Sequence, residues 1–200
     1  MLVGFVLLAA SAAFFVHNSN EERVIGREND RVLEQMTDVI KDNAADGTIN
    51  YDPYSPEMVK RMINGYEYVG VLTIEDLQLQ LPVMSELDDY RLKLAPCLYT
   101  GSVNTDDVVI GAHNYKRHFG YLSRLRPGAQ IVFTTMEGTV NFYTVTSIEV
   151  LMPNEYERLI NGEYPLTLFT CTYGGEKRVV VRCDRQLAEE GTPEENITEN

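Results

Sequence analysis

The spacing of apolar residues divides the chain into a helical N-terminal part and a β-rich body. From Tyr68 onward, short runs of β-branched and aromatic residues are separated by Gly, Pro, Asn and Asp, as is typical of strands joined by turns. Many short strands with few helices between them predict a closed or nearly closed, mostly antiparallel β-barrel. The predicted strands are 69–74, 77–83, 107–112, 129–135, 139–150, 166–172 and 177–183, with short helical segments or loops at 87–94, 118–125 and 153–162.

The chain begins with an almost unbroken apolar run, Met1–Val16, which a polar segment follows at once. A helix that spans a bilayer needs about 20 apolar residues, so the run is slightly short, and no basic residues precede it. Three interpretations stay open: a membrane anchor whose upstream part is missing from this sequence, a signal peptide, and a buried helix. We favour the anchor, and we assign residues 1–18 to a membrane anchor or signal segment.

A helical extension is predicted over residues 19–65, between the apolar run and the barrel. Residues 21–43 carry apolar side chains at helical spacing, which predicts a helix that packs on the domain or spaces it from a membrane. Residues 44–54 contain two turn dipeptides and are expected to form a loop. Ser55-Pro56 then predicts the start of a second, short helix, and Asn64-Gly65 predicts its end.

The C-terminal half of the barrel contains the strongest local signal, a Gly-Gly pair between two β-rich runs. Such a pair predicts a hairpin with a two-residue turn, because both glycines can take positive φ. Counting outward from Gly174-Gly175 places Cys171 opposite Arg178. Directly opposed residues lie on the same sheet face, about 4.5–5.5 Å apart at Cβ. The hairpin therefore predicts a thiol and a guanidinium on one surface.

Composition and charge limit the possible partners. The apolar content of 44% and the charged content of 24% are ordinary for a globular protein. The net charge of −13 argues against nucleic acid as a partner. The three cysteines, Cys97, Cys171 and Cys183, form neither a CxxC pair nor an even set, so at least one thiol is expected to stay free.

His113 is the histidine that we single out for chemistry. It follows an apolar strand that breaks at Gly111, and strand ends on a rigid scaffold often display functional side chains. A cysteine with a histidine is the minimum for a thiol nucleophile, and an arginine can stabilise a developing oxyanion. His118 is expected to be an exposed residue at a helix start. A zinc site of His113, His118 and Cys171 is a weak alternative, because a fourth ligand is missing, and we expect no metal or cofactor.

Three separated motifs resemble those of sortases, the cysteine transpeptidases of Gram-positive cell surfaces. Thr167–Cys171 followed by Arg178–Arg182 resembles the family signature, and Gly111–Asn114 is similar to its Gly-His-Asn motif, with Ala112 before the histidine. The segment Tyr68–Ile74 is similar to the first strand of the sortase barrel. The resemblance implies a closed eight-stranded barrel with short helices over residues 66–186. We expect a class D-like or class B-like enzyme, and an acidic disordered tail over 187–200.

The resemblance also implies a two-step reaction on an LPxTG-like sorting motif. Cys171 would form a thioacyl intermediate, His113 would act as general acid and base, and Arg178 would stabilise the oxyanion or position the substrate. Thr170, through its backbone, Asn114 and Arg182 are expected to contribute to substrate binding.

The partners implied by the resemblance are a sorting-signal peptide and an amine from a peptidoglycan precursor or a pilin lysine. The catalytic domain is expected outside the cell, on a single-pass membrane anchor. Two alternatives stay open: a non-enzymatic extracellular barrel that binds peptide, and a cysteine hydrolase in which water resolves the thioacyl intermediate.

Overall fold

A ring of eight strands closes on itself to form the body of the protein. The computed structural model describes residues 2–46, 55–161 and 163–186. In the ring the strand order is β2-β3-β4-β5-β8-β9-β7-β6, and pairing of β6 with β2 closes it, while β1 is added beside β2. The strands are β1 (Arg61–Ile63), β2 (Tyr66–Ile74), β3 (Leu79–Met84), β4 (Cys97–Thr100), β5 (Val108–Gly111), β6 (Gln130–Thr135), β7 (Val140–Leu151), β8 (Leu166–Cys171) and β9 (Arg178–Arg185).

Most strand pairs are antiparallel, but two pairs are parallel, β3 with β4 and β5 with β8. The interior of the ring is filled by large apolar side chains such as Leu72, Ile110, Phe133 and Val181, all fully buried. The predicted eight-stranded barrel is therefore confirmed. Only short helices interrupt it, namely α2 (Arg91–Leu94), α3 (Tyr156–Leu159) and two single 3-10 turns, Glu75–Leu77 and Leu122–Arg124.

One continuous helix, α1 (Leu2–Asp46), covers the whole N-terminal part of the described chain. Its second half packs on the outside of the barrel, where Val32 and Met36 are buried in a cluster with Tyr68 and Met84. Asn43 Nδ2 also donates a hydrogen bond of 2.9 Å to the Met136 carbonyl in the β6–β7 turn. The helix predicted over 21–43 is therefore present, and its apolar face is used for packing on the domain.

The first half of α1 leaves the barrel and exposes apolar side chains. Phe5, Leu7 and Leu8 are between 63% and 74% exposed. Over the described residues, no helix combines the length and the apolar character that crossing a membrane requires.

The prediction of a second helix that starts at Ser55-Pro56 is wrong. Asn64 and Gly65 both take positive φ, 51° and 84°, and form the two-residue turn of a hairpin that joins β1 to β2. Asn-Gly is a preferred pair for such turns, because both positions need the left-handed region. The dipeptide that we assigned to a helix end therefore begins the barrel sheet. The predicted loop over 47–54 and the predicted tail over 187–200 lie outside the described residues.

Two further boundaries differ from the prediction. Leu77 ends a 3-10 turn and Gln78 takes a left-handed conformation (φ 54°), so β3 begins only at Leu79. The segment predicted as a helix over 118–125 contains a single 3-10 turn at Leu122–Arg124. Both short segments lack the run of residues needed to form a stable helix or strand by themselves.

Candidate active site

Three neighbouring strands, β5, β8 and β9, meet at the edge of the barrel where the candidate residues lie. β8 is the middle strand and ends at Cys171. On one side it pairs in parallel with β5, where Gly111 lies beside Phe169. On the other side it pairs antiparallel with β9, where Arg178 lies directly opposite Cys171. The predicted pairing of the thiol with the guanidinium is confirmed.

The parallel pairing carries His113 to the same edge as Cys171. Gly111 and Phe169 are the last residues of this pair, and His113 and Cys171 each lie two residues further along their chains. Hydrogen bonds on either side of the two residues hold this alignment. Thr170 Oγ1 donates to the Ala112 carbonyl at 2.8 Å, and Asn114 Nδ2 donates to the Thr172 carbonyl at 3.4 Å.

The hairpin between β8 and β9 differs from the predicted two-residue turn. The Gly175 amide donates to the Thr172 carbonyl at 2.8 Å, so the turn spans Thr172–Gly175 and six residues separate the strands. Gly174 and Gly175 both take positive φ, as expected. The register is unchanged, because the longer connection adds two residues on each side of the same centre.

Arg178 combines a position beside the thiol with contacts to the hairpin. Its Nη1 donates to the carbonyls of Gly175 and Lys177, at 3.1 and 3.2 Å. These bonds turn the side chain toward the β8–β9 connection, yet it still lines the same groove as Cys171. The remaining guanidinium donors are therefore placed where a ligand in the groove can accept from them.

His113 is half-buried, and its ring stacks on Tyr115 with centroids 4.8 Å apart. Burial lowers the pKa of His113 from its ordinary value; the charge of Lys93 acts in the same direction and that of Asp89 against it. A lowered pKa favours the neutral imidazole near pH 7, which can accept a proton. The phenyl ring of Tyr115 restricts the orientation of the imidazole.

An apolar groove of about 290 Å³ runs past Cys171. One wall comes from the segment between β3 and α2, and the opposite wall from the connection between β7 and β8. Phe169 and Tyr99 stack edge to face beside the groove, with ring centroids 5.5 Å apart. The side chains that line the two walls are Leu87, Asp89 and Leu92 on one side and Met152, Pro153, Glu155, Tyr156 and Leu159 on the other.

The residues predicted to bind substrate take different positions. Thr170 is buried, and its hydroxyl donates to the Ala112 carbonyl, so the side-chain oxygen is already used within the protein. Asn114 is half-buried and contacts the hairpin. Arg182 is only 2% exposed, and four protein acceptors receive its hydrogen bonds, so its placement argues against direct contact with a substrate.

The other two cysteines are buried inside the protein. Cys97 lies on β4 opposite Gly111, and Cys183 lies on β9 among the apolar side chains of the barrel interior. Burial raises the pKa of Cys97 to about 12 and raises the pKa of Cys183 further. All three cysteines are free thiols. Of the three, Cys171 alone is partly exposed and lines the groove.

His118, predicted to be exposed, is 1% exposed. Its Nε2 lies 3.4 Å from Asn29 Nδ2 on α1, and its ring packs against Tyr115 with centroids 5.5 Å apart. Burial lowers the pKa of His118 to about 4. The prediction was wrong because helix α1 covers this residue, and α1 lies 89 residues away in the chain. Among the described residues, no group of three or more potential ligands is arranged to hold a metal ion.

A family model and solved structures that resemble this chain are all sortases. The model of the Sortase domain matches residues 72–186. A sortase C1 from Streptococcus suis is 25% identical (62% of this chain, 76% of that chain, TM-score 0.51). Sortase A from Corynebacterium diphtheriae is 17% identical, with 86% of this chain and 95% of that chain covered and a TM-score of 0.56. A pilus-related sortase C of Group B Streptococcus is 19% identical, with 80% of this chain and 91% of that chain covered and a TM-score of 0.54. No curated protein matches the chain.

The closed eight-stranded barrel, the free thiol beside an apolar groove and the match to the Sortase domain together identify a cysteine transpeptidase. The chain belongs to the sortase family, because the domain model matches more than half of its 200 residues. Sortases cleave sorting signals and are cell-surface enzymes with an extracellular catalytic domain. The chain is therefore an enzyme, and the alternative of a non-enzymatic barrel is wrong.

The class of sortase remains a prediction. The compared structures belong to classes C and A, while the sequence favours a class D-like or class B-like enzyme; identities of 17–25% carry the fold and not the class. Between β7 and β8, the described residues form only the four-residue helix α3. This agrees with the expectation that no long helix lies in that connection.

Proposed function

We propose that Cys171 is the nucleophile of this transpeptidase, His113 its general acid and base, and Arg178 the cation that stabilises the oxyanion. The observation that supports the proposal is the register of β5, β8 and β9: Arg178 is paired with Cys171, and His113 and Cys171 each lie two residues beyond the last pair of β5 with β8. The groove beside Cys171 gives a peptide access to the thiol. Thr170 and Asn114 hold the alignment rather than take part in the chemistry.

The first step forms a thioacyl enzyme. Neutral His113 takes the proton of the Cys171 thiol, the thiolate sulfur attacks the carbonyl carbon of the Thr–Gly bond in the sorting motif, and the carbonyl π electrons move onto its oxygen. Arg178 donates hydrogen bonds to that oxygen, which carries the developing negative charge. When the C–N bond breaks, protonated His113 gives its proton to the leaving amine. The products are the amino-terminal part of the substrate, bound through its Thr carbonyl carbon to the Cys171 sulfur, and a free carboxy-terminal fragment that begins with Gly.

The second step transfers the acyl group to an amine. Neutral His113 accepts a proton from the incoming amine as its nitrogen attacks the thioacyl carbon. The carbon–sulfur bond then breaks, and the sulfur leaves as the thiolate that began the cycle. We infer that the acceptor is an amine of a peptidoglycan precursor or of a pilin lysine.

We further infer how the enzyme is attached and divided. The exposed apolar side chains near the start of α1 support attachment of residues 1–18 to a membrane. Residues 19–46 then form a juxtamembrane helix that also packs on the barrel, Arg61–Ile63 belong to the barrel sheet, and 66–186 form the catalytic domain. Cell fractionation tests this directly, since recovery of the full-length protein from the cytosol as a soluble species contradicts it.

A peptide-cleavage assay tests the catalytic assignment. A fluorogenic peptide with an LPxTG motif is incubated with the enzyme, with and without an amine acceptor, and methanethiosulfonate is used to block the thiol. We expect product that depends on the acceptor and on an unmodified Cys171. Turnover that is independent of the acceptor indicates a hydrolase instead.

Two variants separate the roles of the thiol and the cation. Cys171→Ala is expected to abolish cleavage. Arg178→Lys keeps the charge but loses the planar fork of donors, and we expect a fall in kcat of about 10²–10³-fold. Turnover near that of the wild type in either variant would refute the role assigned to that residue.

A further inference from the structure

The wall of the groove formed by the β7–β8 connection contains no long regular element. It spans residues 152–165, of which all but 162 are described, and its only helix is the single turn α3. Connections of this kind are usually mobile unless other contacts fix them. The position of Met152, Tyr156 and Leu159 decides the width of the groove beside Cys171. What fixes this wall therefore matters for peptide binding.

Arg182 fixes the wall from inside the barrel sheet. Its Nη1 donates to the Leu159 carbonyl at 3.0 Å, and its Nη2 donates to the Arg158 carbonyl. The same side chain is tied to the sheet by Thr167 Oγ1 on β8, also at 3.0 Å. The Tyr164 ring, at the other end of the connection, lies 5.0 Å from its guanidinium carbon. One buried cation thus contacts the middle of the wall and its C-terminal end.

An ion chain extends from Arg182 to the groove surface. Glu149 accepts from Arg182 Nε at 2.9 Å through one oxygen and pairs with Arg158 at 2.8 Å through the other. Arg158 also pairs with Glu155 at 2.6 Å. The second oxygen of Glu155 accepts from the Met152 amide at 2.7 Å. Glu155 and Met152 both line the groove, so the chain ends at the wall itself.

The geometry of this network suits arginine. A buried cation is stable only when hydrogen bonds and a counter-charge satisfy it. The planar guanidinium directs its donors along fixed axes, so it can hold two successive carbonyls, a hydroxyl and a carboxylate at once. Lysine has three donors on a flexible stem and cannot reproduce this pattern.

We propose that Arg182 is a positioning residue that sets the affinity for the sorting peptide by holding the β7–β8 wall of the groove. Arg182 is buried beneath the wall and touches no substrate. It acts through Arg158, Leu159 and Glu155.

 The proposal rests on the proposed function above, and it replaces direct substrate contact by Arg182 with an action through the carbonyls of Arg158 and Leu159.

A comparison of two arginine variants on β9 tests the proposal. Arg182→Lys removes the network under the wall. Arg185→Lys is the matched control, because Arg185 is also tied into a network, with Asp106 at 2.6 Å and the Val103 carbonyl at 2.7 Å. None of its partners lines the groove. Glu155→Gln is a third variant, which weakens only the link at the surface and leaves the buried arginine in place.

Three quantities are measured for each variant: KM and kcat for the fluorogenic sorting peptide, the rate at which methanethiosulfonate modifies Cys171, and the unfolding midpoint in urea. For Arg182→Lys we expect KM to rise about tenfold, because the loss of hydrogen bonds to a charged group weakens peptide binding by about this factor. Its kcat is expected to stay within about twofold, because Arg182 touches no substrate. The rate of Cys171 modification is also expected to stay within about twofold, because a small reagent can reach the thiol without binding to the wall. Glu155→Gln is expected to raise KM about threefold, and Arg185→Lys to leave KM unchanged.

Several results decide against the proposal. Equal KM values for the Arg182 and Arg185 variants would overturn it, and so would a fall in kcat at constant KM. If Arg182→Lys does not fold, Glu155→Gln decides, and an unchanged KM in that variant rejects the proposal. Failure of the proposed function looks different: the wild type itself then leaves the peptide uncleaved although Cys171 is modified. In that case peptide affinity is measured in the Cys171→Ala background, where the same ranking of variants is expected.

Discussion

Lowering the pH from 7 to 5 is expected to destabilise the fold through His118. The side chain is buried between α1 and the barrel, with Asn29, Tyr115 and the backbone of Leu94 around it. Burial lowers its pKa to about 4, and the charges of His113 and Arg117 act in the same direction, while the nearby Leu94 backbone acts against them. The folded state therefore keeps His118 neutral in a range where the unfolded chain binds a proton.

The size of the effect follows from the two pKa values. Between pH 6.5 and about pH 4 the unfolded state holds more protons than the folded state, so the free energy of unfolding falls as the pH falls. One pKa unit corresponds to about 1.4 kcal/mol. The full loss, reached below pH 4, is therefore about 3 kcal/mol, and the part lost between pH 7 and pH 5 is about 2 kcal/mol. This is a large share of the roughly 5–15 kcal/mol that holds a typical domain folded.

Urea unfolding of the wild type and of His118→Phe at both pH values measures this term. The phenyl ring keeps the packing on Tyr115 but cannot bind a proton, so the loss of stability between pH 7 and pH 5 is smaller in the variant by about 2 kcal/mol. His113→Gln is the control, because it removes a less buried histidine and should retain most of the dependence. Equal losses between pH 7 and pH 5 in the wild type and in His118→Phe would refute the reasoning.

Three other predictions concern the groove. In the native protein a thiol reagent should modify Cys171 alone, because burial raises the pKa of Cys97 to about 12, whereas mass spectrometry of the urea-unfolded chain should find all three cysteines modified. The acid limb of the pH profile of kcat/KM should lie below pH 6.5, since burial lowers the pKa of His113, and a limb above that value would contradict its role as the base. Gly111→Ala would bring a Cβ within 2.6 Å of Phe169 Cζ in the groove floor, so we expect about 1–3 kcal/mol of lost stability in urea and weaker peptide cleavage; wild-type values for both would contradict the placement.

The hairpin at the site could be predicted because the residues that determine its register are neighbours in sequence. The register of Cys171 and Arg178 depends only on the centre of the connection, which Gly174-Gly175 marks. The turn itself was not predicted correctly, since a two-residue and a six-residue connection about the same centre give the same pairing. The side-chain neighbours were therefore more certain than the path of the chain between them.

Asn64-Gly65 shows a local signal with two meanings. The pair ends helices and also forms tight hairpin turns, because both structures need positive φ. The choice depends on whether Arg61–Ile63 has a strand to pair with, and β2 supplies it. Apolar residues at helical spacing favoured the helix, whereas the sheet pairing that decides the outcome involves the rest of the barrel.

The burial of His118 had no local signal at all. Lys116 and Arg117 before it are polar, Phe119 after it gives no sign of where the imidazole points, and the surface that covers it belongs to α1. A helix that packs on the outside of a closed barrel can choose among several faces, and the apolar pattern of one sequence does not specify which. The same limit applies to Arg182, whose alternation with Arg178 suggested a shared surface but whose partners come from the β7–β8 connection.

The parallel pairing of β5 with β8 explains why the histidine and the thiol meet. Residues 58 apart in the chain lie side by side along this pair, from Val108 beside Leu166 to the Thr170–Ala112 bond. Because parallel strands end at the same edge, the loops after β5 and β8 begin together, while antiparallel β9 starts at that edge with Arg178. The three residues are thus aligned by backbone hydrogen bonds of the barrel, and no loop has to fold over to assemble them. An enzyme built in this way can vary the walls of its groove without disturbing the alignment, which is why we assign peptide affinity to the Arg182 network and chemistry to the strand ends.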